Sequence, residues 1–517
     1  MSRFRRAVHG VVSSYVLLGA TAVYSLASVP VALHYLDLKR FGLWIIMGTL
    51  VGYLNLIDAG MTNAVARLLI DHKDYRKGGK YGSFIQTGWL VSILQGAIIF
   101  VIGLSLAGTF ARLLAIDKAL QPEFIRLVNW QCGVVALVFA TRMLSLVLNA
   151  HQRMDLANYI GVVGLLLNFA AQWIFFHFNF GVLSLALGSL VAAVCTVMLQ
   201  ALAGFALKLF PEAGQWGRVS WFHFCEIFNY GKDVFLVGVG TQLIMTSQVF
   251  VITRMLGPEA VAIWGVGLKV FNLLNQVIWR VSDMSMAAFA EMLARGELAR
   301  LRDRYRSMAI LTFSLAGWAA VSFALCNSLF IPILTHGKTH WPVVNDWLLA
   351  FWMILLAGVH CHNSFVLMTK WIGFMRYVYF LEGVVFVSLS FLVARWGGMA
   401  AIIACSILCT IIFSGSYGIW RISRFFEVSF GEVALGWLRP MFKVLLFYLP
   451  VAALAWWLLA SASDLTRLAS HALLAGSLGA CLFLRFGIPE SFQNELLRRA
   501  PSWAAFWLKR FFLQPAS

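Results

Sequence analysis

Five charged residues lie deep inside long apolar stretches of the sequence: Asp58, Arg142, Lys269, Arg280 and Asp283. At a rise of about 1.5 Å per residue, Asp58, Arg142 and Lys269 would lie roughly 16, 12 and 15 Å from an end of their predicted helices. A charge at such depth is costly and as a rule faces a cavity or a partner. Because the bases outnumber the acids, a cavity lined by this set would bind an anion. A phosphate is a plausible one, since Arg binds it in a bidentate manner.

Three of these residues share one predicted helix. Arg280 and Asp283 are three positions apart on one turn, so they could neutralise each other, and this alternative stays open. Lys269 precedes Arg280 by eleven residues, close to three helical turns, so both side chains project from nearly the same face. We expect Lys269 and Arg280 to act on the same ligand.

The other ionisable residues within the apolar runs each have two possible roles. Arg67 lies near the end of its apolar run, where it could either bind substrate or meet lipid phosphates. Glu382 is an isolated carboxylate within a run and, together with Asp283 and His360, is a candidate for coupling to Na⁺ or H⁺. His360 and His362 are two positions apart and point to different sides of a helix, so packing or hydrogen bonding is favoured over a shared metal. No metal site and no cofactor are predicted.

The composition shows which elements must position these residues. Of the 517 residues, 61% are hydrophobic and 12% are charged, and the mean hydropathy is +0.81. Soluble domains carry roughly 25% charged residues. Runs of this length satisfy their own backbone only as helices, so we predict an all-α polytopic membrane protein. About fourteen spans are expected, at residues 11–36, 41–69, 82–111, 123–150, 157–178, 181–208, 230–256, 259–292, 305–332, 346–370, 372–394, 397–420, 441–460 and 468–485.

The distribution of basic residues sets the predicted orientation. In this topology the segments on the side of the N-terminus carry about three times as many Lys and Arg as those on the other side, which places both termini in the cytoplasm. The formal net charge of +18 is explained by these loops, and nucleic-acid binding is not expected.

A weak internal repeat predicts the domain organisation. The stretch "HYLDLKRFGLW" at 34–44 overlies "RMLGPEAVAIW" at 254–264 when the second half is shifted by 220 positions. Both copies begin on the same side, so we expect two parallel six-helix lobes that face each other across a cleft. The predicted segments are a first lobe, a cytoplasmic linker, a second lobe, two additional helices and a cytoplasmic amphipathic tail, at 1–208, 209–232, 233–420, 421–485 and 486–517.

One stretch resembles a known family. "YLDLKRFGLWIIMGTLVGYLNLIDAGMTNAVARLL" resembles the second-helix signature of bacterial polysaccharide and O-antigen flippases of the multidrug, oligosaccharidyl-lipid and polysaccharide (MOP) exporter superfamily. The matching residues are Phe41, Gly42, Leu43, Trp44, Asp58, Gly60 and Arg67. The resemblance implies two lobes around a cationic cavity that accepts the pyrophosphate and sugars of a polyprenyl-linked glycan. Asp58 and Arg67 carry over by motif position, whereas Arg142, Lys269 and Arg280 rest on the depth argument alone.

The sequence therefore predicts a flippase for lipid-linked oligosaccharides in the bacterial cytoplasmic (inner) membrane. Its expected partners are that substrate, membrane lipids, a glycan polymerase and other proteins of polysaccharide assembly. GxxxxGK[ST], HExxH and GxSxG motifs in the required contexts are missing, so no enzyme activity is expected. Two alternatives remain: a cation-coupled multidrug exporter, which the excess of Arg and Lys disfavours, and a membrane glycan polymerase or ligase, which the short outer segment 335–345 disfavours.

Overall fold

A computed structural model describes residues 3–73, 79–369 and 373–499, together with Phe512. Within these ranges the regular elements are helices, and no strand is present. The predicted all-α polytopic fold is confirmed.

The chain forms two compact units, Met1–Gly265 and Val266–Ser517, and the helix α10 (Pro258–Ala294) continues from the first into the second. The division into lobes at 208 and 233 stays a prediction. The first unit contains nine complete α-helices among its described residues: α1 (Arg3–Tyr35), α2 (Leu38–Leu54), α3 (Met61–His72), α4 (Lys80–Leu113), α5 (Gln121–Thr141), α6 (Met143–Ala150), α7 (Met154–His177), α8 (Leu183–Ala206) and α9 (Trp221–Leu256).

Small residues bring α4 and α5 of the first unit close together. A Cβ on Gly96 would lie 2.6 Å from the backbone oxygen of Ala136, and one on Gly103 would lie 2.5 Å from the Cβ of Cys132. Small residues at helix contacts let backbones approach and gain van der Waals packing, which drives helix association where lipid surrounds the protein. This interface holds α4 rigid, and α4 in turn carries Gln95 of the site described below.

The second unit is organised around one long helix. α11 (Leu298–Leu334) packs against α12 (Val343–Met368), α15 (Arg439–Leu458) and α16 (Asp464–Leu474). Its Tyr305 is fully buried, with its hydroxyl 2.7 Å from Nδ1 of His362 on α12. The remaining α-helices are α13 (Met375–Thr410), α14 (Ser416–Phe426), α17 (Ala480–Leu482) and α18 (Glu490–Arg499), with π-helical turns at Ile411–Gly415, Glu432–Gly436, Ala475–Gly479 and Phe483–Gly487.

Thirteen described helices are long and apolar enough to cross a membrane, and one of them runs without a gap over the 52 residues Met375–Phe426. At 1.5 Å per residue that stretch is about 78 Å long, more than twice the roughly 30 Å hydrocarbon thickness. Its backbone is broken at Gly398, where φ is 56° and ψ is −142°. We therefore read it as two spans, which agrees with the spans predicted at 372–394 and 397–420.

Two sequence predictions are refined by the structure. The span predicted at 41–69 is interrupted at Ala59 and Gly60, as described in the next section, whereas the span predicted at 123–150 corresponds to Gln121–Ala150. The predicted linker at 209–232 is helical from Trp221 onward, because α9 extends beyond its apolar part. In the predicted tail, α18 accounts for the first residues, whereas 500–511 and 513–517 lie outside the described residues.

Replacing Gly398 by Ala should destabilise the protein by about 1–3 kcal/mol, because only glycine adopts this backbone conformation without strain. The control is Gly48→Ala, since a Cβ at Gly48 in α2 would meet no atom within 4 Å. Thermal unfolding of the purified proteins in detergent measures the effect. Equal melting temperatures for the two variants would show that the break at Gly398 is not needed.

Candidate functional site

The second membrane helix is interrupted at Asp58. After α2, residues Asn55–Asp58 form a 3₁₀ turn, and Ala59 and Gly60 then adopt positive φ values of 47° and 74° before α3 begins. The Asp58 carboxylate lies 3.3 Å from the backbone nitrogen of Thr62 and also accepts a hydrogen bond from the Thr62 hydroxyl. A short acidic side chain that accepts from a first-turn N–H stabilises a helix start. Asp58 thus stabilises the first turn of α3 through Thr62.

Breaking a helix inside a membrane exposes backbone carbonyls that need new donors. Gln95 of α4 supplies them, since its Nε2 donates to the carbonyl oxygens of Ile57 at 3.0 Å and Asp58 at 3.3 Å. The side chain is 5% exposed. Gln95 was missed in the sequence because the search considered charged side chains. An uncharged amide inside the apolar run "SILQGAIIF" was the available signal.

A second, milder break lies at Arg142, where the hydrogen bonding changes although the backbone stays helical, with φ of −53° and ψ of −31°. α5 ends at Thr141 and α6 begins at Met143, and the backbone nitrogen of Arg142 bonds to the Phe139 oxygen at 3.2 Å, a tighter turn than in an α-helix. The guanidinium carbon lies 3.7 Å from the centre of the Phe139 ring. Cation–π contacts of this kind hold a guanidinium in place.

The two breaks meet through their side chains. Nη1 of Arg142 forms an ion pair with Oδ1 of Asp58 and a hydrogen bond with the Thr62 hydroxyl. The Arg142 and Asp58 side chains are 16% and 20% exposed, so the pair is largely removed from solvent. Each charge therefore has its counter-charge beside it, and Asp58 neutralises Arg142.

A cavity of about 1020 Å³ in the first unit adjoins this pair. Asp58 and Arg142 are the only charged residues among its described lining residues, so the lining has no net charge. This differs from the cationic lining expected if Arg142 faced a ligand without a counter-charge. The uncharged polar residues of the lining are Asn55, Thr62, Thr141, Ser145, Asn149, Asn168, Ser189, Thr196 and Gln200.

Such a lining offers hydrogen bonds in both directions, because an amide donates and accepts and so does a hydroxyl. A polar ligand without net charge, such as a sugar, matches it. These residues were overlooked in the sequence because single amides and hydroxyls are common in membrane helices, and their convergence is visible only after folding.

Arg67 lies further along the chain than the break that follows Asp58. It belongs to α3, its side chain is exposed, and it is not among the residues that line the cavity. The structure thus brings Asp58 and Arg142 together and leaves Arg67 apart from them. Its predicted role in substrate binding stays a prediction.

In the second unit, α10 carries the other three predicted charges. Lys269 and Arg280 have no ion-pair partner among the described residues, and the Arg280 side chain is exposed. Asp283 is not paired with Arg280. Its Oδ1 lies 2.8 Å from Nε2 of His360, whose ring stacks on Trp279 with centroids 4.6 Å apart. Lys269 and Arg280 thus have no acidic side chain paired with them in the described part of the chain.

The remaining coupling candidate, Glu382, is not isolated as the sequence suggested. It is fully buried in α13 and accepts from the backbone nitrogen of Ser414 at 3.1 Å and from its hydroxyl at 3.0 Å. Ser414 lies in the π-helical turn Ile411–Gly415, whose widened backbone presents this N–H. Both carboxylate oxygens of Glu382 therefore have a donor.

The long apolar helices define a multi-pass membrane protein. The sequence profile of the family described as polysaccharide biosynthesis protein matches residues 35–344, more than half of the chain. The chain belongs to this family. No curated protein has a sequence that matches the chain.

Solved structures of the MOP superfamily share the fold. An inward-facing MATE family multidrug resistance transporter aligns with a TM-score of 0.69 and 14% identity, over 79% of this chain and 96% of that one. The lipid II flippase MurJ, in an inward closed conformation, aligns with a TM-score of 0.63 and 10% identity, over 92% and 99%. A transporter from Pyrococcus furiosus aligns with a TM-score of 0.60 and 13% identity, over 81% and 96%. The resemblance noted in the sequence is confirmed for family and fold.

The ion pair can be tested by a double-mutant cycle. Asp58→Ala leaves the Arg142 charge without a partner in a largely buried place, and we expect a loss of about 2–4 kcal/mol in unfolding free energy. Adding Arg142→Ala should recover part of this loss, with a coupling energy of about 1–3 kcal/mol. Thermal or denaturant unfolding of the two single variants and the double variant in detergent gives the cycle. Strictly additive losses would mean that the two charges do not interact.

Proposed function

We propose that this protein is a flippase that moves a polyprenyl-(pyro)phosphate-linked oligosaccharide from the cytoplasmic to the outer leaflet for cell-surface polysaccharide synthesis. The observation that carries the proposal is the cavity of the first unit, which has no net charge and has nine amide and hydroxyl side chains beside its apolar lining, in a chain of the polysaccharide biosynthesis family. A solved structure of the same fold is itself a lipid II flippase.

The sugars and the phosphates of the proposed substrate need different binding groups. Sugars carry many hydroxyls and no charge, so the cavity of the first unit suits them. Phosphate groups carry negative charge and are bound best by cations that have no acid beside them. Lys269 and Arg280 meet this condition, whereas Arg142 is neutralised by Asp58. Within the first unit we therefore propose the cavity as the sugar site, and within the second unit we propose Lys269 and Arg280 as phosphate-binding candidates.

The two interrupted helices identify the segments that we expect to move. α3 and α6 follow the two breaks and pack against each other in one apolar cluster that includes Val65, Leu69, Leu144 and Val147. Helix breaks let half-helices shift while the rest of the fold stays in place. We propose that α3 and α6 move together, with Asp58 and Arg142 as their common hinge.

The orientation and the partners complete the proposal. Both termini would lie in the cytoplasm of a bacterial cell, and the protein would lie in the inner membrane. A glycan polymerase and other assembly proteins would use the translocated product, and Na⁺ or H⁺ would drive the cycle. Asp283, Glu382 and His360 stay coupling candidates.

The phosphate assignment predicts that Lys269→Ala and Arg280→Ala each reduce surface glycan by about tenfold or more, because each removes a charge-assisted contact worth roughly 1.5–3 kcal/mol. Complementation of a strain that lacks the gene measures this, with lipid-linked precursor assayed in each leaflet. Arg295→Ala is the matched control, since Arg295 directly follows the end of α10, is exposed and pairs with Glu291 of that helix.

The location of the precursor separates the alternatives. Precursor retained in the cytoplasmic leaflet supports a flippase. Precursor that reaches the outer leaflet but stays unpolymerised would indicate a polymerase or ligase. Normal glycan together with increased drug sensitivity would indicate a multidrug exporter.

The sugar assignment predicts that filling the cavity blocks transport without changing charge. Ala192 of α8 lines the cavity, and Ala192→Trp should lower surface glycan by about tenfold or more, because overpacking costs about 1–3 kcal/mol at the occupied site. Leu202→Trp on the same helix is the control, since Leu202 is 63% exposed and lies outside the cavity. Protein abundance in the membrane is measured alongside. Full transport by an abundant Ala192→Trp protein would exclude the cavity from the substrate path.

A further inference from the structure

Three of the hydroxyl groups that line the cavity of the first unit donate their hydrogen atom to a backbone carbonyl. Thr141 donates to the oxygen of Leu137 at 2.7 Å, and Ser145 donates to that of Arg142 at 2.9 Å. Ser189 of α8 donates to the carbonyl four residues before it, also at 2.9 Å. A hydroxyl has one hydrogen and two lone pairs, and a carbonyl oxygen only accepts. These three side chains therefore offer a ligand lone pairs and no hydrogen.

The hydrogen of Thr141 is needed where the hydrogen bonding changes at Arg142. The backbone nitrogen of Arg142 bonds to the Phe139 oxygen rather than to the Val138 oxygen four residues before it. The Thr141 hydroxyl lies 3.5 Å from that Val138 oxygen, in addition to its bond with Leu137. A backbone oxygen without a donor is costly in an apolar region. Turning this hydroxyl towards a ligand would incur that cost, so Thr141 is kept as an acceptor.

One amide of the lining is held in the opposite sense. Oδ1 of Asn168 accepts a hydrogen bond from Nε2 of Gln172 at 2.8 Å, and the same nitrogen donates to the Tyr24 hydroxyl at 2.8 Å. Gln172 is 2% exposed, so these bonds are shielded from water. The network assigns the orientation of the Asn168 amide. Because the oxygen of Asn168 is occupied, its Nδ2 hydrogens are left for the cavity.

We propose that Thr141, Ser145 and Ser189 select sugars whose hydroxyl groups are free. Each of the three accepts a hydrogen bond from a ligand hydroxyl, which an O-acylated or O-methylated position cannot donate. Asn168 donates to an acceptor oxygen of the ligand, such as the ring oxygen of a sugar. The inference rests on the proposed function and deepens it, because it names the sugars of the substrate as unsubstituted at the hydroxyls that these residues contact.

The lining thus distinguishes ligands by the hydrogens that they carry. The three hydroxyl side chains are half-buried, so a ligand that covers them removes them from water. A free sugar hydroxyl replaces the hydrogen bond that is lost, whereas an acylated position leaves a lone pair without a donor. A site built for a ligand hydroxyl rejects an analogue that lacks it more strongly than an apolar pocket does. Drugs without O–H or N–H groups are disfavoured for the same reason.

The lipid-linked precursor that accumulates in a strain lacking the gene supplies the probe. Purified full-length protein in detergent is titrated with this extracted precursor and, separately, with the same precursor after acetylation of its sugar hydroxyls by acetic anhydride. The native precursor should raise the Tm. The acetylated precursor should need a concentration at least about tenfold higher for half of the rise, because three hydrogen bonds are lost while the phosphates are unchanged.

Ser189→Ala tests whether the hydroxyl acceptors cause this difference. It removes one acceptor, so the concentration of native precursor for half of the rise should increase by about 3- to 10-fold, whereas that of the acetylated precursor should not change. Ser388→Ala is the matched control, since Ser388 is an exposed serine of α13 that also donates to the carbonyl four residues before it. This control should leave both concentrations as in the wild type.

Two results would overturn the inference. One is an equal response to native and acetylated precursor. The other is a Ser189→Ala protein with the wild-type ratio of the two concentrations, since the bulk of the acetyl groups would then explain the difference. Asn168→Asp keeps the acceptor for Gln172 and removes the donor, so it should weaken binding of the native precursor about tenfold, and unchanged binding would refute the donor role. A native precursor that leaves the wild-type Tm unchanged would instead contradict the proposed function itself.

Discussion

The ion pair between Asp58 and Arg142 is the interaction on which the described site depends. Asp58 lies at a helix break that frees backbone groups in an apolar region, which is costly, and Arg142 lies where the hydrogen bonding of its own helix changes. The pair joins the two breaks and gives each charge a partner, with Thr62 bridging both. Without it, two interrupted helices and two buried charges would have to be stabilised separately. Loss of this ion pair would therefore disturb both parts of the site.

This arrangement explains how a membrane helix can carry the sequence Leu-Ile-Asp-Ala-Gly. Ala59 and Gly60 take the left-handed conformation and stop α2, and Asp58 starts α3 on the other side. Gln95 then satisfies the carbonyls that the break leaves open. Backbone conformation, capping and tertiary hydrogen bonding thus agree on one geometry, which is the condition for a sequence to specify a structure.

The helices, the number of spans and the presence of charged residues within them could be predicted from the sequence, because the length of an apolar run and a charge inside it are local signals. The sequence was insufficient for the pairing of Asp58 with Arg142, which are 84 positions apart, and for the break at Ala59, since alanine rarely adopts a positive φ. Counting Arg142 as a free cation ignored the possibility that an acid on another helix would reach it first. The hydrogen bond from Ser414 to Glu382 could not be predicted either, because Ser414 lies in a π-helical turn for which the sequence has no local signal.

Neutralisation of Arg142 has a consequence for transport. A site that moves its ligand must bind it strongly enough for entry and weakly enough for release. A bare guanidinium in a low-dielectric cavity would hold a phosphate tightly, because charges attract strongly there. Hydrogen bonds from amides and hydroxyls are individually modest, since water offers the sugar similar bonds on either side of the membrane. Under the proposed function, a cavity without net charge in the first unit would bind the sugars of a glycan without trapping them.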